Sequence, residues 1–248
     1  ESQTNSYSKI EYKDRLIRLH EICYPNNSLN DYFVELERLV KESGLSEKKD
    51  SVYIEVGPGE GECTDIIGKL FSKQILFEPN PKYCESLAKR GYQIYQGIMQ
   101  DFLDSFDTKF DLAVFPHSFY YFSVEEIKKT LSKMVFLKRA RESKIAVVVN
   151  QFHNKEMILK CIEEFKLQGV IPKDAYIPNS IDTETVKSCF KEMGIEPQGT
   201  EMNYKITIKS PEELYDLYSF LIMENWVTEQ MKGKDNRTFD KADQIMKE

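Results

Sequence analysis

The stretch Val52-Tyr53-Ile54-Glu55-Val56-Gly57-Pro58-Gly59-Glu60-Gly61-Glu62-Cys63-Thr64 runs an apolar strand straight into three alternating glycines and then into a helix. Glycine lets the backbone turn sharply and lets a ligand approach where a Cβ would clash, here at the positive end of the following helix. Something polar is expected across that turn. A Walker loop needs GxxxxGK[ST], which is absent, and a dinucleotide GxGxxG needs its third glycine at position 62, which is Glu62. The form that remains is GxGxG.

Two acids flank the loop: Glu55 before it, and Glu78 in Ile75-Leu76-Phe77-Glu78-Pro79-Asn80 at the end of the next strand. A carboxylate there, about 20 residues past the first glycine, can accept both hydroxyls of a ribose. Paired acids repel a pyrophosphate, yet they suit S-adenosylmethionine, whose sulfonium and amino groups are positive and which carries no phosphate. The charge pattern favours methyl transfer over hydride transfer. Two other readings stay open: a ligand-free turn for the glycines, and for Glu55 a hydrogen-bonded brace, which can coexist with ligand contact.

Outward from the loop, apolar period 2 alternates with period 3.6, which implies an α/β parallel sheet covered on both faces. Strands are expected at 52–56, 74–78, 92–96, 110–116 and 144–150, with helices near 61–72, 81–90 and 124–138 and right-handed connections. Two helices precede them in 10–43, on either side of Pro25-Asn26-Asn27. Later the pattern gives helices over 155–165 and 183–193, a strand over 202–208, and a helix over 212–230 introduced by Ser210-Pro211-Glu212-Glu213. The charged tail after Lys232 reads as a solvated helix or a frayed end.

With 248 residues, 41% of them hydrophobic and 30% charged, the chain has enough material for one largish domain with a core, and it is neither disordered nor collagen-like. The predicted division is an N-terminal helical cap over 1–45 and a Rossmann-like domain over 46–248 with a substrate-binding insertion near 151–200. A net charge of -7 disfavours a polyphosphate partner, so a small ligand is expected and nucleic acid is not. The five cysteines (Cys23, Cys63, Cys84, Cys161, Cys189) are scattered without a CxxC pair, which reads as reduced thiols in a cytoplasmic protein with no zinc site. No apolar run approaches a bilayer span, and no signal-peptide core precedes residue 10. Glu1 in place of Met reads as a trimmed start, and a monomer or homodimer is expected.

Taken together, Glu55-x-Gly57-x-Gly59-x-Gly61, Glu78 and Phe110-Asp111-Leu112-Ala113-Val114 resemble the class I S-adenosylmethionine-dependent methyltransferases over about residues 50–150. The resemblance implies a seven-stranded Rossmann-like sheet, a methionine moiety over Gly57, Pro58, Gly59 and Gly61, and Glu78 on the ribose. It puts the adenine near Pro79, Asn80, Ile98 and Met99, counts Phe115 and Pro116 among the cofactor-binding residues, and makes S-adenosylhomocysteine the product.

After the fourth strand comes Phe115-Pro116-His117-Ser118-Phe119-Tyr120-Tyr121-Phe122, where such enzymes set the methyl against its acceptor. Here Phe110-Asp111, His117 and Tyr120-Tyr121 resemble the histamine N-methyltransferase family, as more weakly do 126–150, Ile181-Asp182-Thr183-Glu184-Thr185-Val186 and 214–226. The chain departs from that family in carrying His117 where the family has glutamine and in showing no recognisable closing strand with its asparagine. Asn30 and Glu21 are the candidates for the position of the family's N-terminal acidic substrate ligand. A small amine or heteroaromatic nitrogen is the expected acceptor. His117, with an ordinary pKa of about 6.5, would take up its proton, and Phe119, Tyr120 and Tyr121 would wall it by cation–π attraction. Core packing for the aromatics and an ordinary loop histidine remain the alternatives, and His20, His153 and Trp226 read as surface or packing residues.

Competing functions are a small-molecule O-methyltransferase, a non-catalytic cofactor-binding protein, and an rRNA adenine methyltransferase, which the glycine segment also resembles. The last would carry Asn-Leu-Pro-Tyr after the fourth strand, where this chain has Pro116-His117-Ser118-Phe119.

Overall fold

In the computed structural model the described residues are 29–149, 155–174, 182–200, 208–211, 213–214 and 236–247. Five parallel strands form one sheet: β1 (Val52–Val56), β2 (Lys73–Glu78), β3 (Gln93–Gln96), β4 (Leu112–Pro116) and β5 (Lys144–Val148), in the order β3-β2-β1-β4-β5. All five overlap the expected runs, with their ends within two residues of the expected ones. The order reverses beside β1, which pairs with β2 on one side and β4 on the other, so the ends of β1 and β4 open the crevice where α/β sheets bind ligands.

Every residue of β1 and β4 is buried, as expected of a parallel sheet whose two faces are both covered. One face carries Ile54, Phe77, Ala113 and Phe115 against Ile127, Leu131 and Met134 of α4 (Val124–Leu137) and Val186 and Phe190 of α6 (Thr183–Glu192). The other carries Tyr53, Leu76, Leu112 and Val114 against Phe33 and Val40 of α1 (Leu29–Ser43), Ile67 and Leu87. Each of the larger aliphatic and Phe side chains among them contributes about 1.5–3 kcal/mol by leaving water.

Two differences from the sequence pattern have local causes. The helix expected over 61–72 is a short α2 (Glu62–Ile66) followed by a 3-10 turn, Gly68–Leu70, where a Cβ on Gly68 would stand 3.0 Å from Thr64 and 3.1 Å from Tyr53. The fourth strand starts at Leu112, because Phe110 forms a single bridge with Lys138. Elsewhere the caps follow the sequence. Asn80 accepts the Lys82 N–H at 3.1 Å to start α3 (Pro81–Lys89), and Ser123 and Glu126 make a reciprocal capping box on α4.

The chain divides into two compact units, one of residues 30–151 and 180–200 holding the sheet, the other of 1–29, 152–179 and 201–248. Within the second, α5 (Lys155–Leu167) buries Ile162 and Phe165, α7 (Asn236–Lys247) buries Ala242 and Ile245, and Lys241 Nζ donates to the Gln168 carbonyl at 2.6 Å. Over 236–247 the tail is therefore helical. Ser210 accepts the Glu213 N–H at 3.2 Å, starting a helix as its sequence predicts. The strand expected over 202–208, most of the helix over 212–230, and Glu21, His20, His153, Cys23 and Trp226 lie outside the described residues. No described helix is long and apolar enough to cross a membrane.

Candidate functional site

The carboxyl ends of β1, β2, β3 and β4 bring the expected segments to one edge. From β1 the chain turns through Gly57, Gly59 and Gly61 with φ of 78°, 58° and 89°, a region that L side chains avoid. Gly57 is closely covered, since a Cβ there would lie 3.0 Å from the Ser118 Cβ. Gly59 is the opposite case: a Cβ there meets nothing within 4 Å, which leaves an open backbone cradle in the middle of the loop.

Glu78, at the end of β2, is buried and grips this loop. Its Oε2 accepts the Gly59 N–H at 3.1 Å and its Oε1 accepts the Asn80 N–H at 2.7 Å. Burial pushes its acid up, and the two N–H groups pull it back. Each carboxylate oxygen has a second lone pair, so the brace leaves Glu78 able to accept two hydroxyls as well.

Glu55 lies on β1 with no solvent exposure. Its Oε2 accepts from Tyr53 Oη at 2.7 Å and from Thr64 Oγ1 of α2 at 2.6 Å, so it does brace the helix. Its Oε1 is buried without a donor among the described residues. Burial pushes Glu55 up to about 7, against the lowering effect of Thr64 and Tyr53. A carboxylate built this way is half satisfied, and a cation brought to Oε1 would draw it into the charged form.

Along the third strand end, Ile98 is 46% exposed and Pro79 is exposed beside it, an apolar ledge suited to a flat ring. Met99 turns inward to the core, and the Asn80 side chain caps α3. Gln100, which the sequence pattern did not single out, has a buried amide oxygen without a partner among the described residues.

The segment after β4 is held by the His117 N–H on the Val148 carbonyl at 2.9 Å. His117 is the sole described non-glycine residue with positive φ, at 53°, a strained conformation of the kind that gathers at functional sites. Its Nδ1 stands 3.5 Å from Tyr120 Oη. The two rings lie nearly parallel at 6.3 Å, and Tyr32 of α1 meets the imidazole edge-on at 5.9 Å. Tyr121 is 58% exposed. Phe115, Pro116 and Phe119 are buried, Phe119 packing at 4.7 Å on Phe115 and at 5.4 Å on Phe122, so of the expected wall Tyr120 and Tyr121 border the edge while Phe119 supports it from the core.

Tyr32 and Ser118 are additions that the sequence did not signal. Tyr32 belongs to a helix read only for its apolar face, and Ser118 sits unmarked between His117 and Phe119, yet its buried Oγ lacks a partner among the described residues and its Cβ covers Gly57.

No family model matches this chain, and no curated protein does. Among solved structures, magnesium protoporphyrin IX methyltransferase (ChlM) from Synechocystis PCC 6803, with bound SAH, is similar over 78% of this chain and 88% of its own, at 12% identity and a TM-score of 0.54. A protein assigned as a sarcosine dimethylglycine methyltransferase from Galdieria sulphuraria is similar over 87% of this chain and 77% of its own, at 12% identity and a TM-score of 0.50. DesVI from Streptomyces venezuelae is 18% identical over 60% of each chain, with a TM-score of 0.45, so this chain spans 60% of that protein's length. The first two likenesses establish the architecture: this chain has the Rossmann-like fold of the S-adenosylmethionine-dependent methyltransferases.

Proposed function

We propose that this protein is an enzyme that transfers a methyl group from S-adenosylmethionine to a small molecule carrying an amine or heteroaromatic nitrogen. The observation that carries the reading is the pairing of an open backbone cradle at Gly59 with two buried carboxylates, Glu55 and Glu78, that face no cation of the protein among the described residues. That pairing suits a nucleoside that brings its own positive charge and no phosphate.

The residues fit the cofactor part by part. Glu55 Oε1 would receive the amino group of the methionine moiety, with Gly57, Pro58, Gly59 and Gly61 as its floor. Glu78 would accept the ribose hydroxyls while keeping its grip on Gly59 and Asn80. Pro79 and Ile98 would flank the adenine, with Gln100 supplying a hydrogen bond. When bound, the cofactor supplies an electrophilic methyl on sulfur.

The protein's own contribution is then placement, worth as much as about 7–11 kcal/mol in well-aligned systems. His117 would take the proton of an incoming amine, its ring oriented by Tyr120 and Tyr32. Tyr120 and Tyr121 would attract a cationic acceptor by about 0.5–2 kcal/mol each. The similarity of the His117 to Tyr121 segment to histamine N-methyltransferases supports a nitrogen acceptor.

Calorimetry with S-adenosylmethionine, S-adenosylhomocysteine and NAD tests the reading. Binding of the first two and not the third is expected. Binding of NAD alone overturns it.

A further inference from the structure

The glycine loop is fastened from outside the site as well as from within. Arg90, which ends α3, donates through Nη1 to Asp65 Oδ2 of α2 at 2.5 Å and through Nη2 to the backbone carbonyl of Glu60. Its guanidinium also lies over the Tyr92 ring, 5.5 Å from the centroid, and Tyr92 Oη donates to the other oxygen of the same carboxylate, Asp65 Oδ1, at 2.8 Å. Burial and the Asp65 contact push the Tyr92 phenol up to about 12, so it remains a neutral donor. One cation thereby joins the glycine loop, α2, the end of α3 and the approach to β3.

Gly61 is required by its φ of 89°, and Arg90 and Leu87 crowd the same position. A Cβ at that position would fall 2.5 Å from Arg90 Nη2 and 2.7 Å from Leu87 Cδ2. The consequence for the loop is specific: Glu78 holds the Gly59 N–H from one side, and Arg90 holds the carbonyl of the next residue from the other. The peptide units around the open cradle are thus fixed at both ends before any ligand arrives.

We propose that Arg90 is a positioning residue for the cofactor, holding the glycine loop in the shape that receives the amino-acid portion of S-adenosylmethionine. The inference rests on the reading of that loop given above. It acts through the Glu60 carbonyl, and Asp65 and Tyr92 aim it. A guanidinium suits this role because its planar fork fixes the directions of its two bonds, whereas an ammonium is a point charge with freely rotating donors.

The test is calorimetry on the full chain with two probes, S-adenosylhomocysteine and methylthioadenosine, the second lacking the amino-acid portion. Arg90→Met is expected to weaken S-adenosylhomocysteine about tenfold, the size of one charge-assisted hydrogen bond expressed in binding, and to leave methylthioadenosine within about twofold. Arg90→Lys should recover part of the loss. Asp65→Asn should weaken the same probe, and adding Arg90→Met to it should cost little more, because the two side chains act as one unit. Equal weakening of both probes would reveal a general prop and overturn the inference, as would unchanged affinity for S-adenosylhomocysteine. A native chain that binds neither probe would overturn the cofactor reading itself, and the inference with it.

Discussion

The two edges of the sheet bury acids in opposite ways. At the amino edge, Asp111 has no solvent exposure, and its carboxylate accepts the Val52 N–H at 2.9 Å while pairing with Lys48 and Arg139 at 3.2 Å each. Lys48 continues to Glu142 at 3.1 Å, and Arg139 donates to the Asp50 carbonyl at 2.6 Å. At the carboxyl edge, Glu55 and Glu78 are held by hydroxyls and backbone N–H groups, with no ion pair among the described residues. A buried charge with its counter-ions in place ties the start of β1 to β4, whereas one without them keeps its field for a ligand. The same residue chemistry thus does stability at one end and recognition at the other.

The sharpest way to break this contrast is Glu78→Ala. It removes the brace on Gly59 and Asn80 together with the ribose acceptor, and S-adenosylhomocysteine affinity should fall about 100-fold or more by calorimetry, two charge-assisted bonds being lost. Unchanged affinity would remove Glu78 from the site.

Asp111→Ala should do the reverse. Losing the acceptor for the buried Val52 N–H and freeing two cations that are each 34% exposed should cost about 2 kcal/mol in denaturant unfolding, with cofactor affinity within about twofold. If binding falls while stability does not, the two edges are not divided as described.

Glu55 sharpens the contrast through pH. The free protein should bind the cofactor more tightly as pH rises to about 7, losing about tenfold per unit below that, because only the ionised acid attracts the amino group. Stability of the ligand-free protein should move the opposite way. The folded-state value lies above the ordinary one, so the folded state keeps a proton that the unfolded chain releases, and stability declines as pH rises from about 4.5 toward about 7. Glu55→Gln should flatten both profiles, and a pH-independent affinity in the native chain would exclude Glu55 from ligand contact.

The smallest expected effect is Gly59→Ala. With no atom near the new Cβ, only the left-handed backbone is penalised, by about 1 kcal/mol in unfolding. Cofactor affinity should nevertheless drop, since the methyl group occupies the cradle. A protein that tolerates the change in both measurements would show that no ligand crosses Gly59.

Much of the carboxyl edge was legible along the chain because its parts are local. Glu55, the glycines and Glu78 mark strand ends and a turn, and period-2 runs place those ends to within a residue or two. Other parts were not legible. Asp111 stands in the run that resembled a methyltransferase strand, but nothing near it in sequence says that Lys48 and Arg139 will neutralise it. Met99, Phe115 and Phe119 read as pocket residues because of their position, while the 3-10 turn after β3, the pleat of β4 and the turn after it direct them, in that order, into the core. Tyr32 reaches His117 only because α1 packs on the sheet, and Arg90 reaches Glu60 across 30 positions.

What the amino-acid order settled alone is the alternation of strands and helices, the glycine turn and the sign of the charge beside it, since periodicity, φ preference and formal charge are carried by neighbouring residues. Which acids are neutralised and which glycine stays open, as well as which aromatics face the edge and which cation fastens the loop, was decided by the packed structure. Those properties depend on groups far apart in sequence meeting at distances of a few ångströms, and only the folded sheet brings them there.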